Sequence, residues 1–251
     1  MIKKIFRSKA DIENLSSLKT SPQTEKDTFD YKNIVVNKPW GWEYLAYENR
    51  YIAIWILYLN FGFETSLHCH PNKKTVILPL FGNIQLSSLE GWAALKPGDA
   101  AMIEEEVFHS SKAASRGGTT VMEIESPPNK KDLVRLKDEY GRREMGYESK
   151  KSMSKRGGDT YVHFNDAKKG RVVRRIGNCT LTMCRHRGQW EINRSIENEN
   201  GDLFCLLSGK LHDEAGTPII TAGEIVNLAD LKNGRKLYTL TDTNFLVLSF
   251  S

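Results

Sequence analysis

His68 and His70 are separated by one residue in the run Leu67-His68-Cys69-His70, and a third histidine, His109, follows further along the chain. Side chains alternate between faces along a strand, so His68 and His70 point one way and Cys69 the other, toward packing. Two imidazoles on one face are half of a transition-metal site, and a third brought opposite completes a set of three nitrogen ligands. Three neutral ligands leave the charge of a divalent ion uncompensated, which favours an anionic substrate. His163, His186 and His212 follow no such spacing and read as structural or exposed.

The elements that must carry these histidines read as strands. From Tyr31 the chain runs through Ile34–Val36, Tyr51–Leu59, Ser66–His70, Thr75–Leu80, Asn83–Ser87, Ala93–Leu95, Ala100–Glu104 and Thr119–Glu125. Gly82, Gly91, Pro97-Gly98 and Gly117-Gly118 punctuate them as turns in a barrel or sandwich. Residues 1–30 form a polar extension, poorly packed, with a short helix near Ala10 to Leu18. Leu133, Leu136 and Tyr140 stand at helical spacing and predict a short amphipathic helix over Asp132 to Tyr140. It opens a basic linker, 128–158, that ends in a mobile connector closed by Gly157-Gly158.

A second series of strands, 159–251, repeats landmarks of the first. Gly91 and Gly98 recur 125 residues on as Gly216 and Gly223, and Val121–Ser126 recurs as Leu246–Ser251. The same register sets Ser195 and Glu197 at the places of His68 and His70, and Gly234 at that of His109. The second copy therefore keeps a scaffold and lacks the ligands.

Composition narrows the function. The longest apolar run, Tyr51–Leu59, is too short to span a bilayer, and the N-terminus lacks the apolar stretch of a signal peptide. Four cysteines without paired spacing fit a reducing compartment, so the expectation is a cytoplasmic protein with no membrane partner. The net charge of +5 is concentrated in residues 127–175, where 15 Lys and Arg face 7 Asp and Glu. Such a segment attracts phosphates or acidic partners, or is simply a solvated surface. No arginine-rich tract or nucleic-acid motif accompanies it, so no nucleic-acid partner is expected.

Gly62, five residues, His68-Cys69-His70 and then Gly82 resemble the first signature of the cupin superfamily; Gly98 and His109 resemble the second. The resemblance covers Tyr31 to Ser126, with a weaker echo in the C-terminal half. It implies an all-β fold of two tandem jelly-roll barrels joined by a short helical linker. Residues 31–127 would form the metal-binding barrel and 159–251 a degenerate one. It also implies a divalent metal (zinc, iron, manganese or nickel) held by His68, His70 and His109. Thr75 occupies the position of the usual glutamate ligand, as a weak fourth ligand at best, so Glu64 or Glu104 is the candidate for the missing carboxylate and for catalysis. Glu104 and Glu106 stand where a proline and a glycine are usual.

Lys38-Pro39-Trp40-Gly41 and His68-Cys69-His70-Pro71-Asn72-Lys73 are similar to runs of the phosphomannose isomerases. This similarity implies a sugar or sugar phosphate as substrate, aldose–ketose isomerisation as reaction, and Lys73 or Lys74 as the phosphate contact. The bland alternatives are a solvated turn for the lysines and a turn with core aromatics for Pro39–Trp42. A homodimer packed through the second barrel is expected. Two other functions fit the same residues: a three-histidine iron dioxygenase, and a non-catalytic carbohydrate-binding or assembly module.

Overall fold

The computed structural model describes residues 1–18, 29–143, 147–155, 161–164, 170–188 and 191–251. The first half begins with β1 (Ile2–Ile5), helix α1 (Lys9–Ser17), β2 (Ile34–Lys38), β3 (Gly41–Glu48), β4 (Ala53–Leu59), β5 (Leu67–Cys69) and β6 (Lys74–Phe81). It continues with β7 (Ile84–Ser88), β8 (Gly91–Leu95), β9 (Ala100–Ile103), β10 (His109–Ala113), β11 (Thr119–Ser126), β12 (Val134–Lys137) and β13 (Met153–Lys155). These strands make two sheets, one in the order β1-β9-β6-β11-β4-β3-β2-β13 and one in the order β12-β5-β10-β7-β8.

The second half contributes β14 (Arg171–Ile176), β15 (Cys179–His186), α2 (Asn193–Glu197), β16 (Leu203–Leu206), β17 (Lys210–His212) and β18 (Pro218–Thr221). β19 (Ile225–Asn227), α3 (Leu228–Lys232), β20 (Tyr238–Thr239) and β21 (Thr243–Phe250) complete it. The order β9-β6-β11-β4-β3 of the first half recurs as β19-β16-β21-β15-β14, and β10-β7-β8 recurs as β20-β17-β18. The strand that carries His68 has no counterpart. In its place in the chain stands α2, which holds Ser195 and Glu197 on a helical turn.

The four sheets stack, and alternation along the strands assigns side chains to the layers between them. Val121, Leu57, Trp55 and Ile77 point into the first barrel with Ile84 and Leu86 from the facing sheet. Their sequence neighbours Met122, Ile56, Ile54 and Leu78 point the other way and pack against Leu181, Met183, Leu203 and Leu246 of the second half. The large first sheet is therefore buried on both faces, so its strands read as continuous apolar runs rather than alternating ones. Phe204, Phe245, Leu211 and Leu237 pack in the core of the second half.

Three segments differ from the sequence expectation. Residues 1–18 are packed: β1 pairs in parallel with β9, and α1, capped by the reciprocal Ser8–Asp11 box, lays Leu15 against the outer face of the second sheet. The helix expected over Asp132–Tyr140 is a strand, β12, paired to β5. Its Val134 and Leu136 face outward to Cys69 and Phe108, a period of two that burial enforces over the helical spacing of Leu133, Leu136 and Tyr140. Between residues 128 and 158, the one helical turn among the described residues is the 3₁₀ turn Lys150–Ser152. Gly157-Gly158 and Thr160 lie outside the described residues. No helix among the described residues is long and apolar enough to cross a membrane.

Candidate metal centre

β5 and β10 pair so that His68 stands directly opposite His109, and His70 follows just past the end of β5 on the same face. The ring centroids lie 4.9 Å (His68–His70), 4.6 Å (His68–His109) and 5.3 Å (His70–His109) apart. One nitrogen from each ring falls within 4.8 Å of the other two, a grouping that can hold a metal ion. Cys69, between the two histidines, turns outward into the layer with Phe108 and Val134.

The second nitrogen of each ring is tied to the backbone. Nδ1 of His68 meets the Ser66 carbonyl at 2.7 Å, that of His70 the Asp132 carbonyl at 2.6 Å, and that of His109 the Val107 carbonyl at 3.0 Å. A carbonyl only accepts, so each Nδ1 carries the proton and donates it. All three Nε2 atoms are left as bare lone pairs, and that of His70 is buried without a hydrogen-bond partner. Burial holds His68 and His70 well below the usual histidine range and brings His109 down to about 4, so all three are neutral near pH 7. Three neutral imidazoles, oriented by hydrogen bonds at their far nitrogens, are the donor set of a divalent transition metal.

The turn that delivers His109 is pinned from both sides. Glu106 adopts a left-handed backbone, φ 65°, where the resemblance has glycine, and its N–H donates to the His70 carbonyl at 2.9 Å. The next N–H but one, that of Phe108, donates to Oδ1 of the buried Asp11 of α1 at 2.9 Å. Gly41 explains the Pro39-Trp40-Gly41 turn in backbone terms: a Cβ there would stand 1.9 Å from the Tyr58 carbonyl oxygen. Trp40 itself is buried and lines the cavity in front of the histidines.

That cavity has a volume of only about 50 Å³, and its wall is charged. Lys73 ion-pairs with Glu125 at 2.8 Å, and Lys130 with Glu125 at 3.2 Å and Glu43 at 3.5 Å. Lys38 pairs with Glu43 at 3.3 Å and with Glu148. Burial alone would raise the Glu43 carboxyl, but Lys130 and Lys38 outweigh it and hold it at about 2. Burial raises Glu123 to about 7, against the pull of Lys130. Its Oε1 stands 3.9 Å from Nε2 of His70.

The residues named from sequence separate into two groups. His68, His70, His109 and Lys73 come together here, although Lys73 is 1% exposed and donates to the Asn129 carbonyl as well as to Glu125 rather than lying on a solvated turn. Lys74, Glu104 and Glu64 do not join them. Lys74 and Glu104 pair with each other at 2.9 Å on a half-exposed outer edge. Glu64 and Lys112 form an isolated backbone β-bridge, and the Glu64 carbonyl accepts from the Tyr140 hydroxyl. Thr75 is buried opposite Glu125, its hydroxyl without a hydrogen-bond partner, and outside the lining of the cavity. Glu43, Glu123, Glu125, Lys130 and Arg135 are cavity residues that sequence reasoning missed. The available signal was parity: Glu123 and Glu125 alternate with Met122 and Ile124 in an otherwise apolar strand, on the side of Val121.

No protein-family model matches the sequence, and no curated protein matches it. Among solved structures, the chain is similar to KdgF from Halomonas sp. at 15% identity and a TM-score of 0.34, covering 41% of this chain and 87% of that one. It is similar to a sugar phosphate isomerase of the cupin superfamily from Silicibacter pomeroyi at 16% identity and a TM-score of 0.30, over 31% and 52% of the two chains. A cupin 2 conserved barrel domain protein from Leptotrichia buccalis matches at 13% identity and a TM-score of 0.33, over 90% and 92%. The strand order and facing sheets of the chain itself, with three histidines gathered between the sheets of the first half, describe an all-β fold of stacked sheets.

Proposed function

We propose that this chain is a metal-dependent enzyme that binds a small anionic sugar, such as a sugar phosphate, and interconverts its aldose and ketose forms. In this reading the C-terminal half is a second, ligand-free barrel. The observation that carries the proposal is the set of three imidazoles whose Nδ1 protons are donated to backbone carbonyls, which frees three Nε2 lone pairs toward one point. His68, His70 and His109 would hold the ion, and when bound it supplies Lewis acidity toward a carbonyl and its neighbouring hydroxyl.

The charged groups of the wall support the substrate class. Lys38, Lys73, Lys130, Arg135 and Arg142 line the cavity with Glu43, Glu123 and Glu125, and Glu148 and Asp138 pair with Lys38, Arg135 and Arg142, so the wall offers cationic groups to an anion with its charges balanced. The cavity itself is small, about 50 Å³, so a sugar would enter only as the charged side chains around it part. Lys73 is committed to Glu125. Arg135, opposite His68 on β12 and 3.8 Å from Glu148, adds a second candidate for the phosphate contact in this reading.

The test is to load the protein with zinc or manganese and follow hexose and pentose phosphates by NMR for aldose–ketose exchange. Turnover by the wild type that is lost in His70→Ala is the expected result. Tightly held ferrous iron with oxygen uptake would instead favour the dioxygenase reading, and binding without turnover a carbohydrate-binding module.

A further inference from the structure

Nε2 of His70 and Oε1 of Glu123 face each other at 3.9 Å inside the barrel, both buried. The His70 ring proton is on Nδ1, donated to the Asp132 carbonyl, so Nε2 has only a lone pair to offer. When Glu123 is ionised two acceptors confront one another, an arrangement that a shared cation satisfies. The other two glutamates of the cavity are already satisfied: Glu43 by Lys38 and Lys130, Glu125 by Lys73 and Lys130. Among the described residues, Glu123 has no lysine or arginine within ion-pair distance, and its one such neighbour is His70.

Register explains why this carboxylate comes from β11. Thr75, where the resemblance has a ligand glutamate, pairs across the sheet with Glu125, and Glu123 is the next residue of β11 on the same face. Two ligand atoms each about 2.1 Å from one ion stand roughly 3.0–3.4 Å apart. Glu123 lies outside the 4.8 Å grouping of the three histidines, so its side chain joins them by turning toward His68 and His109. We infer that Glu123 supplies the carboxylate lost at Thr75 and acts as the fourth protein ligand, closing a three-nitrogen, one-oxygen site. This rests on the reading of the three histidines as metal ligands, but not on any particular substrate.

The experiment measures Zn²⁺ affinity by competition with a chromophoric chelator, for the wild type and the isosteric Glu123→Gln, alongside thermal unfolding of both in excess EDTA. If Glu123 is a ligand, Glu123→Gln raises the Zn²⁺ Kd about 100-fold or more. Its metal-free form melts no lower than the metal-free wild type, because an uncompensated buried charge has been removed. Equal Zn²⁺ affinity in the two proteins, or a lower melting temperature for the metal-free variant, overturns the inference. A wild type that binds no Zn²⁺ overturns the histidine site itself. Absence of sugar turnover alongside a Glu123-dependent Zn²⁺ affinity would sink only the isomerase reading.

Discussion

His109 offers its metal-binding nitrogen in a form that protons reach late. Its folded value, brought by burial from 6.5 to about 4, keeps the ring neutral well into the acid range. Protons compete with a metal at His109 only near that lower value. Protons at His109 should therefore weaken Zn²⁺ affinity steeply only below about pH 5, so a milder decline between about pH 8 and pH 5, followed by equilibrium dialysis, belongs to Glu123, whose carboxyl burial raises to about 7. The metal-free protein shows the linked effect. A depressed folded value stabilises above the unfolded one, and that contribution is lost as pH falls from 6.5 toward about 4. The histidines were legible at this scale because a one-residue gap on a strand has a single geometric meaning. Glu43, Glu123 and Glu125 were not, because a glutamate in a strand ordinarily marks the solvent face, and here both faces are covered.

At the scale of elements, α1 works as a clamp on the turn that presents His109. Asp11 closes the capping box with Ser8 through Oδ2 and accepts from Phe108 N–H through Oδ1. Asp11→Ala should cost about 1–3 kcal/mol by urea unfolding, since it strands a buried N–H and removes the cap. It should also weaken Zn²⁺ binding, whereas Asp11→Asn, which keeps an acceptor, should lose much less of both. An unchanged Zn²⁺ affinity in Asp11→Ala would show that the helix plays no part in positioning His109. The short helix near Ala10 to Leu18 was legible, but its docking was not, since Leu15 and Phe108 meet only across the finished sheet. Strand β12 was misread for a related reason. Leu133, Leu136 and Tyr140 fit a helical face, and the pairing of Val134 with Cys69 that decides the matter is a tertiary contact.

The whole molecule is held by a layer that belongs to both halves. Tyr44, Ile54, Ile56, Leu78, Met122 and Ile124 from the first half share one buried cluster with Leu181, Met183, Leu203, Cys205, Leu246 and Leu248 from the second. A fragment ending at Lys155 would expose that face to water. It should be insoluble or lack the cooperative unfolding of the full chain, which should itself unfold in a single transition followed by circular dichroism in urea. A soluble, cooperatively folded fragment would show that the halves are independent. The repeated strand order was legible through glycines and the final strand, where Val121–Ser126 and Leu246–Ser251 share the central position of their sheets. The replacement of the histidine strand by α2 was not, because an offset carries position along the chain and not conformation.

The most direct test of the account counts metal per chain after loading with Zn²⁺ and gel filtration, by inductively coupled plasma mass spectrometry, on folded wild type, His70→Ala and His186→Ala. The expected result is about one ion per chain in the wild type and in His186→Ala, and under about a tenth of that in His70→Ala. Equal retention by all three proteins, or none by the wild type, would contradict a cation held among His68, His70 and His109.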